Sequence, residues 1–531
     1  MNKTLRLLCV LLLFNCGCTG QIAFKKLLRY NLPPFGVTFH PKIINQTASD
    51  YTFVEYFVNH SFFFKLDSTG NFLYFKLPEF GFYYYDLISA RCFNDKIYFV
   101  SRYNFVVTDT ACNVLTKKII YNDSIFGIPN VAITRSITTD DKITYSAGGI
   151  GSTTGQGYSS IVIKFDSIGN ILWSRYINGV PYITVISKPI LNYDGSLYVL
   201  LRLDSSGQYK STEIAKLDTS IGKLIWSKKY FESPYVIKDI MPYDSISVLL
   251  YGMNDEHPNG IHPYWDDSLI VMRIDTGGNV MWCRKYREGT TGLLFVQKII
   301  NTTDSGFLLT GSYAEDSNAT GKTLIIKFDS QFNIQWARKH QASLGSSYGK
   351  SVIQTNDGGY LVSGGATLGP GPNDVYAYII KTDSLGSAGC FEDTLAGIVY
   401  TTMTVTPVDL NYTTDTISIY TAPVAIGDTM MGSFTEYDAC VFLGVEEVSL
   451  QNNNELIVYP NPASDVVRIL LPQNQTAKQI EVYDIQGREV MQSDKVNSYP
   501  LQLDVSALMR GIYVVRVVCK ENTFTARLVV E

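Results

Sequence analysis

The stretch "IVIKFDSIGNILWSRY" (Ile161–Tyr176) decides how this chain is read. An apolar run leads to Asp166, Asp-Ser-x-Gly-Asn follows, and a second apolar run resumes. An Asp that bonds its own backbone and a Gly that supplies positive φ make a tight turn, so the stretch predicts a β-hairpin. Seven positions after the Asp stands Trp173, and two further on Arg175.

The hairpin recurs. "EIAKLDTSIGKLIWSKKY", "LIVMRIDTGGNVMWCRKY" and "TLIIKFDSQFNIQWARKH" repeat it, preceded by the worn copies "SFFFKLDSTGNFLYFKL" and "NFVVTDTACNVLTKKII" and closed by "AYIIKTDSLGSAGC". The shared Asp falls at Asp67, Asp109, Asp166, Asp218, Asp275, Asp329 and Asp383, 42 to 57 residues apart. That is the period of propeller blades. The aromatic slot holds Tyr74, Trp173, Trp226, Trp282 and Trp336, and the cation slot Lys76, Arg175, Lys228, Arg284 and Arg338. These residues are read as structural: the ring wedges against the neighbouring blade and the cation snorkels to water.

A second signature precedes the hairpins: "NDGGYLVSGG", "TDSGFLLTGS" and "YDGSLYVLL", with weaker forms elsewhere. It is a tight turn followed by an apolar strand, and a further short strand lies before it, as in "KSVIQT". Each period therefore holds four strands. The last copy lacks its outer strand, and Phe24 with Lys26 copies the aromatic and cation slots. Residues 22–29 are expected to complete the seventh blade and hide its edge.

The four-strand reading sorts the loops. Turns between first and second and between third and fourth strands share one face and are uniform. The opposite face carries long, varied connections such as "GGIGSTTGQGYSS", "NDEHPNGIHPYWDD" and "GGATLGPGPNDVY". Variable loops on a rigid scaffold suggest recognition, so this second face is the expected binding face. His257, His262, Trp265, Asp266 and Asp267 crowd one of its loops as a possible ligand loop. Their spacing matches no metal motif, and no metal is expected there.

The rest of the composition excludes several classes. With 531 residues the chain is too long for one core. Net charge is −5 and no basic block points to nucleic acid. "MNKTLRLLCVLLLFNCGCTG" has a positive head, a short apolar run and small residues before Gln21, which is signal-peptide anatomy with a cut after Gly20. Lipidation at Cys16 or Cys18 is the alternative, although neither follows a Leu-small-small pattern. No other apolar run reaches the ~20 residues of a membrane helix. Of the cysteines beyond the signal, Cys92 with Cys112 and Cys390 with Cys440 are possible disulfides in an oxidising compartment, and buried free thiols are the equal alternative. There is no GxSxG, HExxH, P-loop or dinucleotide fingerprint, and no cofactor is expected.

After Cys390 the repeat dissolves into a Thr-rich connector, "LAGIVYTTMTVTPVDLNYTTDTISIYTAP", expected to hold a strand or two. From Leu456 strand-like runs form a compact module that reads as a small β-sandwich. It contains, in order, Tyr459-Pro460-Asn461-Pro462, "VYDIQGREV", "GIYVVRV" and the ending "ARLVV". This set resembles the C-terminal sorting domain of the Bacteroidetes type IX secretion system. The resemblance rests on Tyr459, Pro460, Asn461, Pro462, Asp484, Gly487, Arg488, Gly511 and Tyr513. It implies export from the periplasm by the type IX machinery, followed by release or by linkage to surface lipopolysaccharide. The blade pattern resembles quinoprotein-type propeller repeats in its hairpin core, without their calcium ligands or adjacent-Cys pair. "DGGYLVSGG" is closer to repeat propellers found on secreted Bacteroidetes proteins.

The expectation is thus an all-β protein, a seven-bladed β-propeller followed by a small immunoglobulin-like β-sandwich. Its expected parts are a signal peptide (1–20), propeller (21–389), connector (390–450) and sorting domain (451–531). The leading function is a secreted or cell-surface binding protein for a glycan or protein. The alternatives are an enzyme, perhaps carbohydrate-active, with its site at the propeller axis, and a structural surface or motility-associated component.

Overall fold

The computed structural model describes residues 23–30, 41–57, 60–78, 87–93, 96–101, 103–111, 113–121, 131–151, 158–179, 184–205, 208–232, 235–254, 268–289, 292–315, 319–342, 345–367, 375–423, 429–430, 434–438, 456–459, 463, 465–471, 477–484, 487–493, 501–520 and 523–530. All of its named elements are strands. They fall into two compact units, Met1–Leu443 and Gly444–Glu531.

The first unit holds seven five-stranded antiparallel sheets. Four strands of each come from one sequence period, for example Tyr235–Asp244, Ser247–Asn254, Leu269–Asp275 and Val280–Glu288 in sheet 5. Sheet 7 takes Ser346–Gln354, Tyr360–Thr367 and Val375–Thr382, and its fourth strand is Phe24–Tyr30, with Phe24 opposite Lys381. The first strands of successive sheets pack against one another in a closed cycle, and Lys42–Gln46 of sheet 1 returns to Ser346–Gln354 of sheet 7. Sheets radiating from such a cycle are a β-propeller.

The hairpin chemistry explains the order. In sheet 1, Asp67 Oδ1 accepts the backbone N–H of Thr69 at 2.8 Å and of Asn71 at 2.9 Å, and its Oδ2 accepts Asn71 Nδ2 at 3.0 Å. The same set recurs at Asp166 and Asp329. Burial alone would raise the carboxyls of Asp67, Asp166, Asp275 and Asp329. The turn donors outweigh it and hold them below the usual range.

The fourth-strand aromatics join sheet to sheet. A Cβ on Gly222 would stand 2.8 Å from the Trp173 ring of the preceding sheet, and one on Gly386 2.5 Å from the Trp336 ring. Only a bare glycine, here also at positive φ, admits the indole. Phe24 covers Gly70 in the same way and so joins sheet 7 to sheet 1. The cations are not left to water. Arg338 Nε donates to the Leu385 carbonyl at 2.7 Å, and Arg284 Nη1 to that of Gln331 at 2.8 Å, each on the next sheet's turn. Snorkelling gives way because those turn carbonyls lie within reach.

The Thr-rich segment expected as a connector does something else. Seven short strands between Glu392 and Asp438 each pair with the outer edge of one sheet. Glu392–Thr394 lies on sheet 6, Ile398–Thr402 on sheet 5, Val408–Asp409 on sheet 4, Thr413–Thr416 on sheet 3, Tyr420–Pro423 on sheet 2, Thr429–Met430 on sheet 1 and Phe434–Asp438 on sheet 7. The chain therefore retraces the ring backwards as a belt, and each blade has five strands rather than four. Unpaired edge groups and a β-prone, Thr-rich segment make this pairing favourable, and Glu392 and Asp409 of the segment meet Arg338 and Lys228 on the sheet edges. Leu395 and Ile419 are buried by it, and Met403, Val405, Tyr412 and Ile417 pack partly into the sheet cores.

The second unit pairs a three-stranded sheet (Ile457–Tyr459, Val466–Leu470, Leu501–Asp504) with a four-stranded one (Glu489–Ser493, Ala477–Asp484, Gly511–Cys519, Thr523–Val530). Val467, Ile469, Ile480, Val482, Val515, Val517 and Leu528 are buried in one shared core.

Candidate functional site

The uniform side of the ring satisfies itself. Besides the Asp turns, each third strand carries a Lys or Arg two residues before the repeat Asp in all but sheet 2. In five sheets this cation reaches an Asp at the turn between first and second strands: Lys65–Asp50, Lys216–Asp194, Arg273–Asp244, Lys327–Asp304 and Lys381–Asp357. Lys327 holds Asp304 at about 2, against a burial effect in the opposite direction. The pairs knit first and third strands together across the second. Sequence reading passed over them because the partners are not local: Lys327 and Lys381 lie 23 and 24 residues from theirs. With their acceptors filled, the turn carboxylates are poorly placed to act as ligands or bases. The same side exposes large apolar residues, among them Ile168, Leu172, Tyr193, Ile225, Ile246 and Leu385.

The opposite side carries the irregular connections, running from Asn254 to Leu269 in sheet 5 and from Thr367 to Val375 in sheet 7. His257, His262, Trp265, Asp266 and Asp267 lie outside the described residues. Among the described residues, no cluster of His, Cys, Asp and Glu could hold a metal.

One polar cluster gathers where the belt begins. Lys25, fully buried on the fourth strand of sheet 7, donates from Nζ to the carbonyls of Cys390 and Phe391. Burial pushes its ammonium down to about 8, opposed by Glu392. His340 stands in the slot where Tyr230 and Tyr286 bond the next turn's carbonyls, at 2.8 and 2.7 Å. It is fully buried, 3.6 Å from Glu392, and held well below its ordinary pKa by burial and by Lys25. Cys390 is disulfide-bonded, while Cys112 and Cys440 lie outside the described residues.

In the second unit Asp484 and Arg488 close a hairpin. Asp484 Oδ1 accepts the Arg488 backbone N–H at 3.0 Å, Oδ2 accepts its Nε at 2.8 Å, and Gly487 supplies φ of +77°. Tyr513 stands opposite Asp484 on the neighbouring strand, and its hydroxyl donates to Met509 at 2.6 Å, two residues before Gly511 opens that strand. Asp484, Gly487, Arg488, Gly511 and Tyr513 thus meet at one end of one sheet. Tyr459 ends the strand Ile457–Tyr459, and Pro460, Asn461 and Pro462 lie outside the described residues.

Residues 457–531 match the secretion system C-terminal sorting domain family. This sorting domain belongs to type IX secretion, so the chain engages that machinery and is exported to the cell surface or beyond it. Among the described residues no helix is long and apolar enough to cross a membrane. No curated protein matches the chain. Similar solved structures include the WD40 domain of Neurospora crassa Pan2, with 9% identity over 66% of this chain and 91% of that one and a TM-score of 0.41. The N-terminal domain of Nup159 has 11% identity over 68% and 96%, with a TM-score of 0.30. PorZ, described as an essential surface component of the type IX secretion system of Porphyromonas gingivalis, has 10% identity over 90% and 91%, with a TM-score of 0.18.

Proposed function

We propose that the propeller is the cargo of the sorting domain and works as a cell-surface or secreted binding protein for a glycan or protein. One contrast carries this reading. The turn side of the ring is uniform and its carboxylates are consumed by internal hydrogen bonds. The opposite side sets connections of differing length and composition on the same rigid strands. Rigid scaffolds with variable connections are how recognition surfaces are built. Linkage to surface lipopolysaccharide after export fits the same reading, as does removal of the sorting domain.

The test is a screen of the purified secreted chain against glycan and protein arrays. It is repeated with residues 255–267 replaced by a short Gly-Ser turn. Specific capture that is lost in the loop variant is expected. Turnover of an arrayed glycan to hydrolysed products would overturn the reading in favour of an enzyme.

A second reading, a structural component that packs against other surface proteins, draws on the exposed apolar residues of the turn side. Concentration-dependent self-association abolished by Ile168→Ser and Leu385→Ser, with no array binding, would favour it.

A further inference from the structure

The type IX machinery has to recognise the sorting domain, and the sandwich offers it two outward sheet faces. The two differ in chemistry. On the three-stranded sheet Val467 and Ile469 stand opposite Leu503 and Leu501, and all four are buried. The positions that alternate with them face out: Arg468 opposite Gln502, and Val466 opposite Asp504. Of these four exposed residues only Val466 is apolar. On the four-stranded sheet Tyr513, Val515 and Val517 turn into the core. Ile512 and Val514, which alternate with them, are also apolar and β-branched, yet 46% and 40% exposed. A strand with one solvated face reads apolar-in and polar-out, whereas a strand covered on both faces reads as a near-continuous apolar run. "GIYVVRVVC" (Gly511–Cys519) has the second pattern in a place where the domain itself covers only one face.

The ladder register extends the patch sideways. Val514 stands opposite Tyr483 on one neighbouring strand and Arg527 on the other, and Ile512 stands opposite Val529. Directly opposed residues share a face, so Tyr483, Ile512, Val514 and Val529 form one apolar and aromatic surface. The charges beside it balance. Arg516 is paired with Glu481 at 3.5 Å, and Glu489, opposite Tyr483, offsets Arg527. The patch is also continuous with the end of the sheet where the residues that carry the resemblance to sorting domains meet. Tyr483 adjoins Asp484, and Ile512 and Val514 flank Tyr513. The side chains of Asp484, Arg488 and Tyr513 are engaged within the domain. What they hold in place is the outward set beside them.

We propose that this face, centred on Ile512 and Val514, is where the sorting domain docks, against an apolar surface on a protein of the type IX machinery. Burial of apolar area supplies the affinity, and the balanced charges at the margin leave little for salt to screen. The inference rests on the sorting assignment and is independent of what the propeller binds. Loss of export on deleting residues 457–531, together with undiminished export when the face is made polar, would remove the docking face and leave the assignment standing.

Export of the full chain from cells, read by fractionation, tests it. Ile512→Ser/Val514→Ser should lower the surface or medium yield about tenfold and leave folded chain in the periplasm. Ile512→Leu/Val514→Leu should export as the parent does, because it keeps the face apolar. The opposite-face pair Val466→Ser/Arg468→Gln should also export as the parent does. All these side chains point outward, so the melting temperature of the purified full chain should hold in each variant. Parent-level export of Ile512→Ser/Val514→Ser overturns the proposal, as does an equal loss in the opposite-face pair. A second readout needs no loss of function. A photo-cross-linking amino acid in place of Thr525, which stands opposite Arg516 on the same face, should join the chain to a component of the type IX machinery identified by peptide mass spectrometry. The same group in place of Gln502 should not. Any other product at position 525, a second copy or the chain's own propeller included, or no product at all, overturns the docking face.

Discussion

Trp226 donates its indole N–H to the carbonyl of Thr276 at 3.1 Å, across the gap between two sheets. Trp173 does the same to Thr219 at 3.0 Å. The repeat's signature residue is thus an inter-sheet tie: one ring face lies on a glycine, and one donor enters a turn. Trp226→Phe should keep the packing and lose the bond, lowering stability by about 1 kcal/mol. Trp226→Ala should cost about 3–5 kcal/mol. Chemical denaturation of the pair separates the two contributions, and equal losses would refute the tie.

Sheet 6 departs from the pattern. Phe332 fills the place of the turn glycine at a φ of +61°, fully buried and stacked on Phe307 at 4.3 Å and near Trp282 at 5.6 Å. The left-handed backbone costs about 1–2 kcal/mol, and burial of the ring offsets it. Phe332→Ala should therefore destabilise by about 3 kcal/mol or more, because it keeps the strain and loses the ring. Phe332→Gly should be less damaging than Phe332→Ala, since it relieves the strain. The ranking of the two midpoints in urea checks this.

The belt's two ends converge on the first strand of the chain. Lys25 holds the Cys390 carbonyl, and Asp438 stands opposite Lys26. Peptide mapping without reductant is expected to find Cys390 joined to Cys440, which would close the belt into a covalent hoop. Cys390→Ser should lower stability by about 2–4 kcal/mol, and reductant should do the same to the parent chain but not to the variant. A Cys390 linked elsewhere refutes the hoop.

Two buried bases at the belt's start set a pH dependence. Lys25 titrates near 8 in the fold and at 10.5 when unfolded. Between those values the unfolded chain holds a proton that the fold does not, so this group's contribution rises as pH rises from 8 to 10.5. His340 is held neutral well below 6.5, so acidification through 6.5 protonates only the unfolded chain and stability falls. Subtracting the profiles of Lys25→Met and His340→Phe from that of the parent should isolate two rises, one in each window. Flat differences would contradict the burial argument.

Export should depend on the hairpin of the sorting domain. Deleting residues 457–531 should leave the folded chain in the periplasm, and Asp484→Ala should reduce surface or medium yield by opening the Asp484–Arg488 turn. Cell fractionation with an antibody to the propeller reads both. Undiminished export of the deletion would refute the assignment.

The hairpins were legible because their chemistry is local: Asp, Gly and Trp lie within eight residues and each has a physical role there. The sorting blocks were legible for the same reason. The belt was not, because strands of two to five residues carry no internal period, and their partners are set by edges as distant as Lys26 from Asp438. The Lys381–Asp357 type of pair falls between: a Lys or Arg is conspicuous beside every repeat Asp but that of sheet 2, and its partner belongs to the preceding turn.

The strand Phe24–Tyr30 lies between Val375–Thr382 and Phe434–Asp438, so the earliest-made strand of the ring is flanked by two of the latest. Until the ribosome has delivered nearly the whole cargo, the seam stays open and seven sheet rims lack their last partner. A chain halted before residue 392 would carry those rims outward permanently, ready to stick to its siblings. Completion of the belt is thus a built-in sign that every blade has been made, and the residues that address the protein for export come only after it.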